Sequence, residues 1–359
     1  MIPLYPLLFE DNFHVTVWGG NNLKPMKSLP ADDEPVGESW EVSAVPSSKS
    51  VVKNGPLKGR DLMSLTAEYG EQMLGKEVCK RYHGEFPLLV KFIDAKKDLS
   101  IQVHPNDRLA RERHGCFGKT EMWYVMKAEP GACLYSGMNQ PVSRYEYEHR
   151  VADGSICEVL AKHPVKAGDV FFIPAGRIHA ICGGILLAEV QQSSDVTYRI
   201  FDYNRPGLDG KPRQLHTELA VGAIDFNVPS QKATLGKGTL AAVDPQPLLA
   251  GQMADVEVYR TDYEHELNYP VPLIVNEFFI VKLLEINRAF HRKLYKYDSF
   301  IIYMCLEGNC TVTAAGVTLT LTEGNSCLVP ASVADIYVEP HNAHGVTRLL
   351  ETYIDNKNY

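Results

Sequence analysis

The sequence predicts a mostly β protein with a few short helices, its strands folded into antiparallel barrels or sandwiches. Three observations carry this. Short apolar runs recur from Phe86 to about Arg199 and again from about Glu277 to the end, separated by turn residues at the spacing of antiparallel strands. A pattern repeats: Gly168-Asp169, three residues, then Ile173-Pro174-Ala175 returns as Gly324-Asn325, three residues, then Val329-Pro330-Ala331, each time at the end of an apolar strand. The chain has 359 residues, which at roughly 150 residues per domain fits two domains.

Taken in order, residues 1–57 hold the extended runs HVTVW and WEVSAV, with turn signals at Gly19-Gly20 and Asn54-Gly55. A helix is expected from about Asp61 to Arg81, where Leu62, Leu65, Met73 and Leu74 supply an apolar stripe. Strands follow at LLVKFIDA, LSIQVH, EMWYVM, DVFFIP, GILLAEVQQ and VTYRIFDY, with Asp107 to Arg113 a short charged helix or loop between two of them. Residues 204–250 are a Pro/Gly-containing connection with a short helical stretch near His216 to Val221. Strands resume as FFIVKLLEI, SFIIYMCLEG, CTVTAAG, VTLTLTEG, SCLVPA and ADIYVEP.

Composition narrows the function classes. Apolar residues make 45% and charged residues 22%, which is globular composition. Lys plus Arg is 36 against 44 for Asp plus Glu, 36 − 44 = −8, and no long basic run exists, so nucleic acid is not an expected partner. The start, MIPLYPLLFEDNF, lacks a basic region, and nowhere do about 18 uninterrupted apolar residues occur, so neither secretion nor a membrane is indicated. The eight cysteines are widely spread, without C-x-x-C, and read as buried free thiols in a reducing cytoplasm.

The chemistry gathers in the first half. Period two puts Gln102 and His104 of LSIQVHP on one strand face. Glu121 opens the next strand and His179 follows the turn PAGRI, so these side chains can reach a shared centre. An amide oxygen, two imidazoles and one carboxylate suit a divalent metal. With twelve histidines in the chain, spacing alone leaves ordinary surface or core histidines open as well.

Gly168-x5-Pro174-x-Gly176-x2-His179 matches the second signature of the cupin superfamily. LSIQVHP, GKTEMWYV, PAGRIHA and SDVTYR, in this order, resemble type I phosphomannose isomerase, in its shorter bacterial branch. The likeness runs from VWGG at Trp18 to about Asn204 and weakens beyond. It implies two cupin-like (jelly-roll) β-barrels: a catalytic domain over residues 1–240 with an N-terminal elaboration, and a degenerate, metal-free one over 241–359. In that second half Asp335 stands five residues after Pro330, where His179 stands after Pro174.

The resemblance further implies one Zn²⁺ per chain on Gln102, His104, Glu121 and His179, and interconversion of mannose 6-phosphate and fructose 6-phosphate through an enediol. Arg199 matches the family's essential arginine, and Glu189 matches a carboxylate proposed as the base; Lys119 and Asp195 match residues in competing proposals. Lys91 and Ser100 match phosphate-side positions, and Trp18 and Glu38 align with the pocket wall, where ordinary packing competes. Two departures stand out. His179-Ala180-Ile181 replaces a common HAY, removing a hydroxyl, and Gly118-Lys119-Thr120-Glu121 lacks the histidine of the larger members. An isomerase or epimerase of another sugar phosphate, and a non-catalytic sugar-binding or regulatory cupin, are the rival readings. The partner expected is a sugar phosphate, and the oligomeric state is left open.

Overall fold

The computed structural model describes residues 2–226, 259–260, 263, 265–341 and 345–355, and the division expected at 240/241 lies outside them. Two antiparallel sheets build the first barrel. One has seven strands, in the order Tyr259–Arg260, Val170–Ile173, Glu121–Ala128, Ile185–Gln192, Leu88–Ala95, Phe13–Gly20 and Val36–Val42. The other has five: Tyr198–Phe201, Ile101–Val103, His179–Ile181, Cys133–Met138 and Leu160–Pro164. Trp123, Phe171 and Leu187 of the first sheet pack with Leu134 and Ile181 of the second to fill the space between them.

The second barrel repeats the order. Its six-stranded sheet runs Leu7–Leu8, Ser326–Val329, Ile301–Glu307, Thr347–Tyr353, Ile280–Ile286 and Pro270–Val275. Its four-stranded sheet runs Phe290–Lys293, Asp335–Pro340, Asn309–Ala314 and Val317–Thr322. The repeated sequence pattern occupies equivalent places, with Gly168 (φ +93°) and Gly324 (φ +80°) each turning the chain into Val170–Ile173 and Ser326–Val329. The two halves also exchange edges. Leu7–Leu8, from the N-terminus, pairs with Ser326–Val329 of the second barrel, and Tyr259–Arg260 pairs with Val170–Ile173 of the first.

Strand alternation explains why LLVKFIDA is almost wholly apolar. Leu88, Val90 and Phe92 face a core shared with Leu283, Met304 and Leu350 of the second barrel, whereas Lys91 and Ile93 lie on the alternate face, Ile93 within the first barrel's own core. With both faces covered, the sheet has no solvated side to mark by polar residues.

The single helix expected from Asp61 to Arg81 is instead three: Leu62–Tyr69, Glu71–Leu74 and Lys76–Arg81. The breaks are Gly70 and Gly75, at φ +48° and +94°. At Gly75 a Cβ would collide with the Asp298 carbonyl oxygen. Asp298 then caps the last helix, accepting from the N–H groups of Lys76 and Glu77 at 2.7 Å each, and so docks the helical stretch on the second barrel. The segment Asp107–His114 is a helix, capped by Asn106. A further helix, Arg144–Asp153, begins on Ser143 and Glu146, an S-x-x-E start. The eight cysteines are free thiols, but only Cys182, Cys305, Cys310 and Cys327 are buried; the other four are partly exposed. No helix among the described residues is long and apolar enough to cross a membrane.

Candidate metal centre and active site

The site lies between the two sheets of the first barrel. The seven-stranded sheet contributes Glu121, and the facing sheet contributes Gln102, His179 and, one residue past the strand Ile101–Val103, His104. Register holds them together: His179 and Arg199 both sit directly opposite Gln102, on its two sides. His104, Glu121 and His179 are at most 1% exposed and bring their ligand atoms within 4.8 Å of one another. Glu121 Oε2 is 3.5 Å from His104 Nε2, and Glu121 Oε1 is 3.4 Å from His179 Nε2.

Both imidazoles are oriented from behind. His104 Nδ1 donates to the Val196 carbonyl at 3.1 Å, and His179 Nδ1 donates to the Arg177 carbonyl at 2.8 Å, which turns both Nε2 lone pairs inward. Burial, above all, lowers both imidazole pKa values, that of His179 to about 3, so both are neutral donors at neutral pH. His104 Nε2 and both Glu121 oxygens are buried without a hydrogen-bond partner. With Lys119 Nζ 3.2 Å from Glu121 Oε2 as the nearest cation, the convergent atoms of His104, Glu121 and His179 could hold a metal ion. Gln102 Nε2 lies 3.2 Å from His179 Nε2, so a half-turn of that amide brings its oxygen to the same centre.

The buried neutral imidazole also predicts acid sensitivity. Between about pH 6.5 and 3 the unfolded chain protonates the His179 ring while the native chain does not, so stability falls as pH falls through this window, by at most ~1.4 kcal/mol per pH unit. Urea midpoints of chelator-treated protein should therefore drop on acidification, and His179→Gln should flatten the slope.

Beside these candidate ligands, one register row crosses the sheet: Trp40, Lys91, Glu189, Trp123, Phe171. Neighbours in a row share a face, so these side chains touch. Trp123 Nε1 donates to Glu189 Oε2 at 2.8 Å. Lys91 Nζ is 3.5 Å from Glu189 Oε1, 3.2 Å from Glu38 Oε2 and 4.7 Å from the centre of the Trp40 ring. Trp40 Nε1 in turn donates to Glu38 Oε2 at 2.5 Å. Burial raises the Glu189 pKa, with the charge of Glu121 adding to it and Lys91 opposing. For Glu38 burial acts in the same upward direction but Lys91 prevails, and its pKa is lowered.

The remaining residues named from sequence spread further. Lys119 is buried and 3.2 Å from Glu121 Oε2. Its loop is pinned by Gln192, which accepts from Thr120 N at 2.9 Å and donates to Asp107 at 2.9 Å. Ser100 Oγ is 3.5 Å from Gln102 Oε1. Arg199 is half-buried, donates to the Gln214 carbonyl at 2.8 Å and leaves its Nε without a partner. Asp195 is exposed and accepts from Ser47 at 2.8 Å, outside the cluster. Trp18 packs in the barrel core with Ile93, Leu99 and Trp123. Ile181, in place of a tyrosine, is buried in that same core.

Sequence reasoning missed Trp123 and Trp40, though period two from Glu121 reaches Trp123. Trp123→Phe should destabilise the protein by about 1.5–3 kcal/mol in urea melts, because it leaves a buried carboxylate oxygen undonated; a change under about 0.5 kcal/mol would mean that the indole bond is idle.

Comparison with known proteins places the chain. Residues 7–129 match the family model "Phosphomannose isomerase type I, catalytic domain", and residues 272–344 match "Mannose-6-phosphate isomerase, cupin domain". A mannose-6-phosphate isomerase of Streptococcus mutans is 41% identical over 225 residues, 63% of this chain and 69% of the relative. The mannose-6-phosphate isomerase ManA of Bacillus subtilis is 39% identical over 227 residues, again 63% and 69%. The crystal structure of a mannose 6-phosphate isomerase from Bacillus subtilis superposes with a TM-score of 0.79 at 29% identity, covering 98% of this chain and 100% of that one.

Proposed function

The chain belongs to the type I phosphomannose isomerase family and is an isomerase; from that premise we propose that its first barrel interconverts mannose 6-phosphate and fructose 6-phosphate through an enediol, with one divalent ion, zinc, on Gln102, His104, Glu121 and His179. The observation that carries this is the set of orphaned, inward-facing atoms of His104 and Glu121 beside a buried carboxylate, Glu189. Bound there, the ion supplies Lewis acidity toward the substrate oxygens and orients them.

The protein's own groups move the proton between C1 and C2. Glu189 is the base: Trp123 fixes one oxygen, and the other, Oε1, accepts no hydrogen bond, faces the Lys91 ammonium at 3.5 Å and takes the carbon-bound proton. Burial makes this carboxylate more basic than an exposed one, and Lys91 keeps it ionised. Lys119 reaches the Glu121 side of the site, where it can meet a substrate oxygen. Arg199, opposite Gln102 and half-buried, supplies positive charge near the developing enediolate.

Lys91 needs a different role from the phosphate contact expected of it. It is 5% exposed and has Glu38 and Glu189 as its neighbours, so a dianion approaching it would meet two carboxylates first. We assign it to holding Glu189 ionised. Lys91→Ala should then lower turnover of mannose 6-phosphate and the residual turnover of free mannose by similar factors. A loss confined to the phosphorylated sugar would return Lys91 to the phosphate.

Purified, zinc-loaded protein assayed with mannose 6-phosphate, fructose 6-phosphate and glucose 6-phosphate tests the function directly. Turnover of the first pair, loss on chelation and recovery on adding zinc are expected. Turnover that survives complete metal removal would refute the metal role, and a preference for glucose 6-phosphate would reassign the substrate.

A further inference from the structure

The second barrel repeats the register row of the first. In the first sheet Glu189 lies directly between Lys91 and Trp123; in the second, Glu351 lies directly between Lys282 and Tyr303. The next position corresponds too, Phe171 beside Trp123 and Cys327 beside Tyr303. In both rows an aromatic donor holds the carboxylate: Trp123 donates to Glu189 Oε2 at 2.8 Å, and the Tyr303 hydroxyl donates to Glu351 Oε2 at 2.9 Å. The metal half is not repeated. Ile301, paired with Val329, stands where Glu121 pairs with Ile173.

Instead, a guanidinium enters. Arg292 comes from the strand Phe290–Lys293, the counterpart of the strand that carries Gln102, and pairs with Glu351 and with the Tyr297 hydroxyl. Glu351 is 0% exposed, and its Oε1 accepts no hydrogen bond among the described residues. Lys282 is half-buried and forms no ion pair among them; its Nζ sits 5.1 Å from the centre of the Tyr353 ring. One oxygen of a buried carboxylate without a donor, next to a half-buried ammonium that Asp355 influences but does not pair with, is costly for a scaffold and useful in a site whose ligand brings both hydroxyls and negative charge. Arg292, Lys282 and Tyr297 are only partly buried, so this cluster reaches solvent.

We propose that the second barrel is a non-catalytic binding site for a hexose phosphate, in which Glu351 Oε1 accepts from a sugar hydroxyl, Lys282 and Arg292 meet the phosphate, and the Tyr297 ring packs on the sugar. The ligand class rests on reading Glu189 and its neighbours as facing the substrate in the first barrel. Binding there is without reaction, because Ile301 leaves no carboxylate for a metal.

Equilibrium dialysis of the zinc-loaded full chain with labelled mannose 6-phosphate tests this. Wild type should bind two equivalents per chain. Lys282→Met, which keeps the aliphatic stem, should bind one, with turnover within about twofold of wild type. Should that variant fail to fold, Tyr297→Leu, which removes the ring, is read in its place and should weaken the second equivalent at least threefold. One equivalent in wild type, or two equally tight equivalents in the folded variant, overturns the second site. The function assigned to the first barrel fails separately: it falls if wild type does not turn over mannose 6-phosphate, whatever the number of equivalents bound.

Discussion

His104→Ala and His179→Ala should each yield a folded protein that has lost its metal and nearly all of its turnover. Each ring supplies one of the three buried groups that, among the described residues, bring their ligand atoms within 4.8 Å of one another, and Gln102 is the fourth donor proposed. Loss of an outer-shell partner alone typically costs about 10- to 100-fold in metal affinity, so loss of a ligand should exceed that. Folding should survive, because each truncation orphans one backbone carbonyl, that of Val196 or Arg177, at about 1–3 kcal/mol, against the ~5–15 kcal/mol of a typical domain. Two measurements decide. Elemental analysis should find less than stoichiometric zinc. The thermal midpoint of wild type should fall on chelation, since a ligand at 1,000 times its Kd stabilises by about 4 kcal/mol, while those of the variants should not move. A variant with full metal and normal turnover would remove that histidine from the centre.

Glu189→Gln should abolish exchange of the C1/C2 proton with solvent and lower kcat by about 10²- to 10⁴-fold, the usual worth of a general base. The substitution keeps an acceptor for the Trp123 N–H and nearly the same volume, so the barrel stays intact while the basic oxygen is lost. KM should change little, because Lys91 still has Glu38 as its counter-ion. Arg199→Ala separates charge stabilisation from proton transfer: kcat should fall about 10²- to 10³-fold, by analogy with an oxyanion-hole donor, yet residual turnover should still exchange the proton. Exchange that persists at the wild-type rate in Glu189→Gln would move the base to Lys119, 3.2 Å from Glu121. Asp195 is the weaker alternative, since it is exposed and engaged with Ser47.

Local periodicity made much of this legible in the sequence. Gln102 and His104 share a face because strand side chains alternate, and Glu121 begins a strand recognisable by its own composition. The turn before Val170–Ile173 and its repeat before Ser326–Val329 were readable because a glycine announces a positive φ locally. The breaks at Gly70 and Gly75 had the same signal. They were overridden by the apolar stripe on either side, although Gly75 is fixed by a contact with the distant Asp298.

What the sequence by itself determined is the strand-rich duplicated class, the candidate ligand residue types and the motifs that carry them, because each depends on residues a few positions apart. Only the tertiary structure decided which groups neighbour one another across strands. Glu189 meets Trp123, 66 positions away, because antiparallel register sets them opposite, and register is a property of the assembled sheet. The same holds for the environment of Lys91, which folding places beside Glu38 and Glu189, and for the edge strands Leu7–Leu8 and Tyr259–Arg260, which pair across the halves of the chain. Buried charge is compensated only by groups that folding brings within a few ångströms, and their identity is not written next to it in the chain.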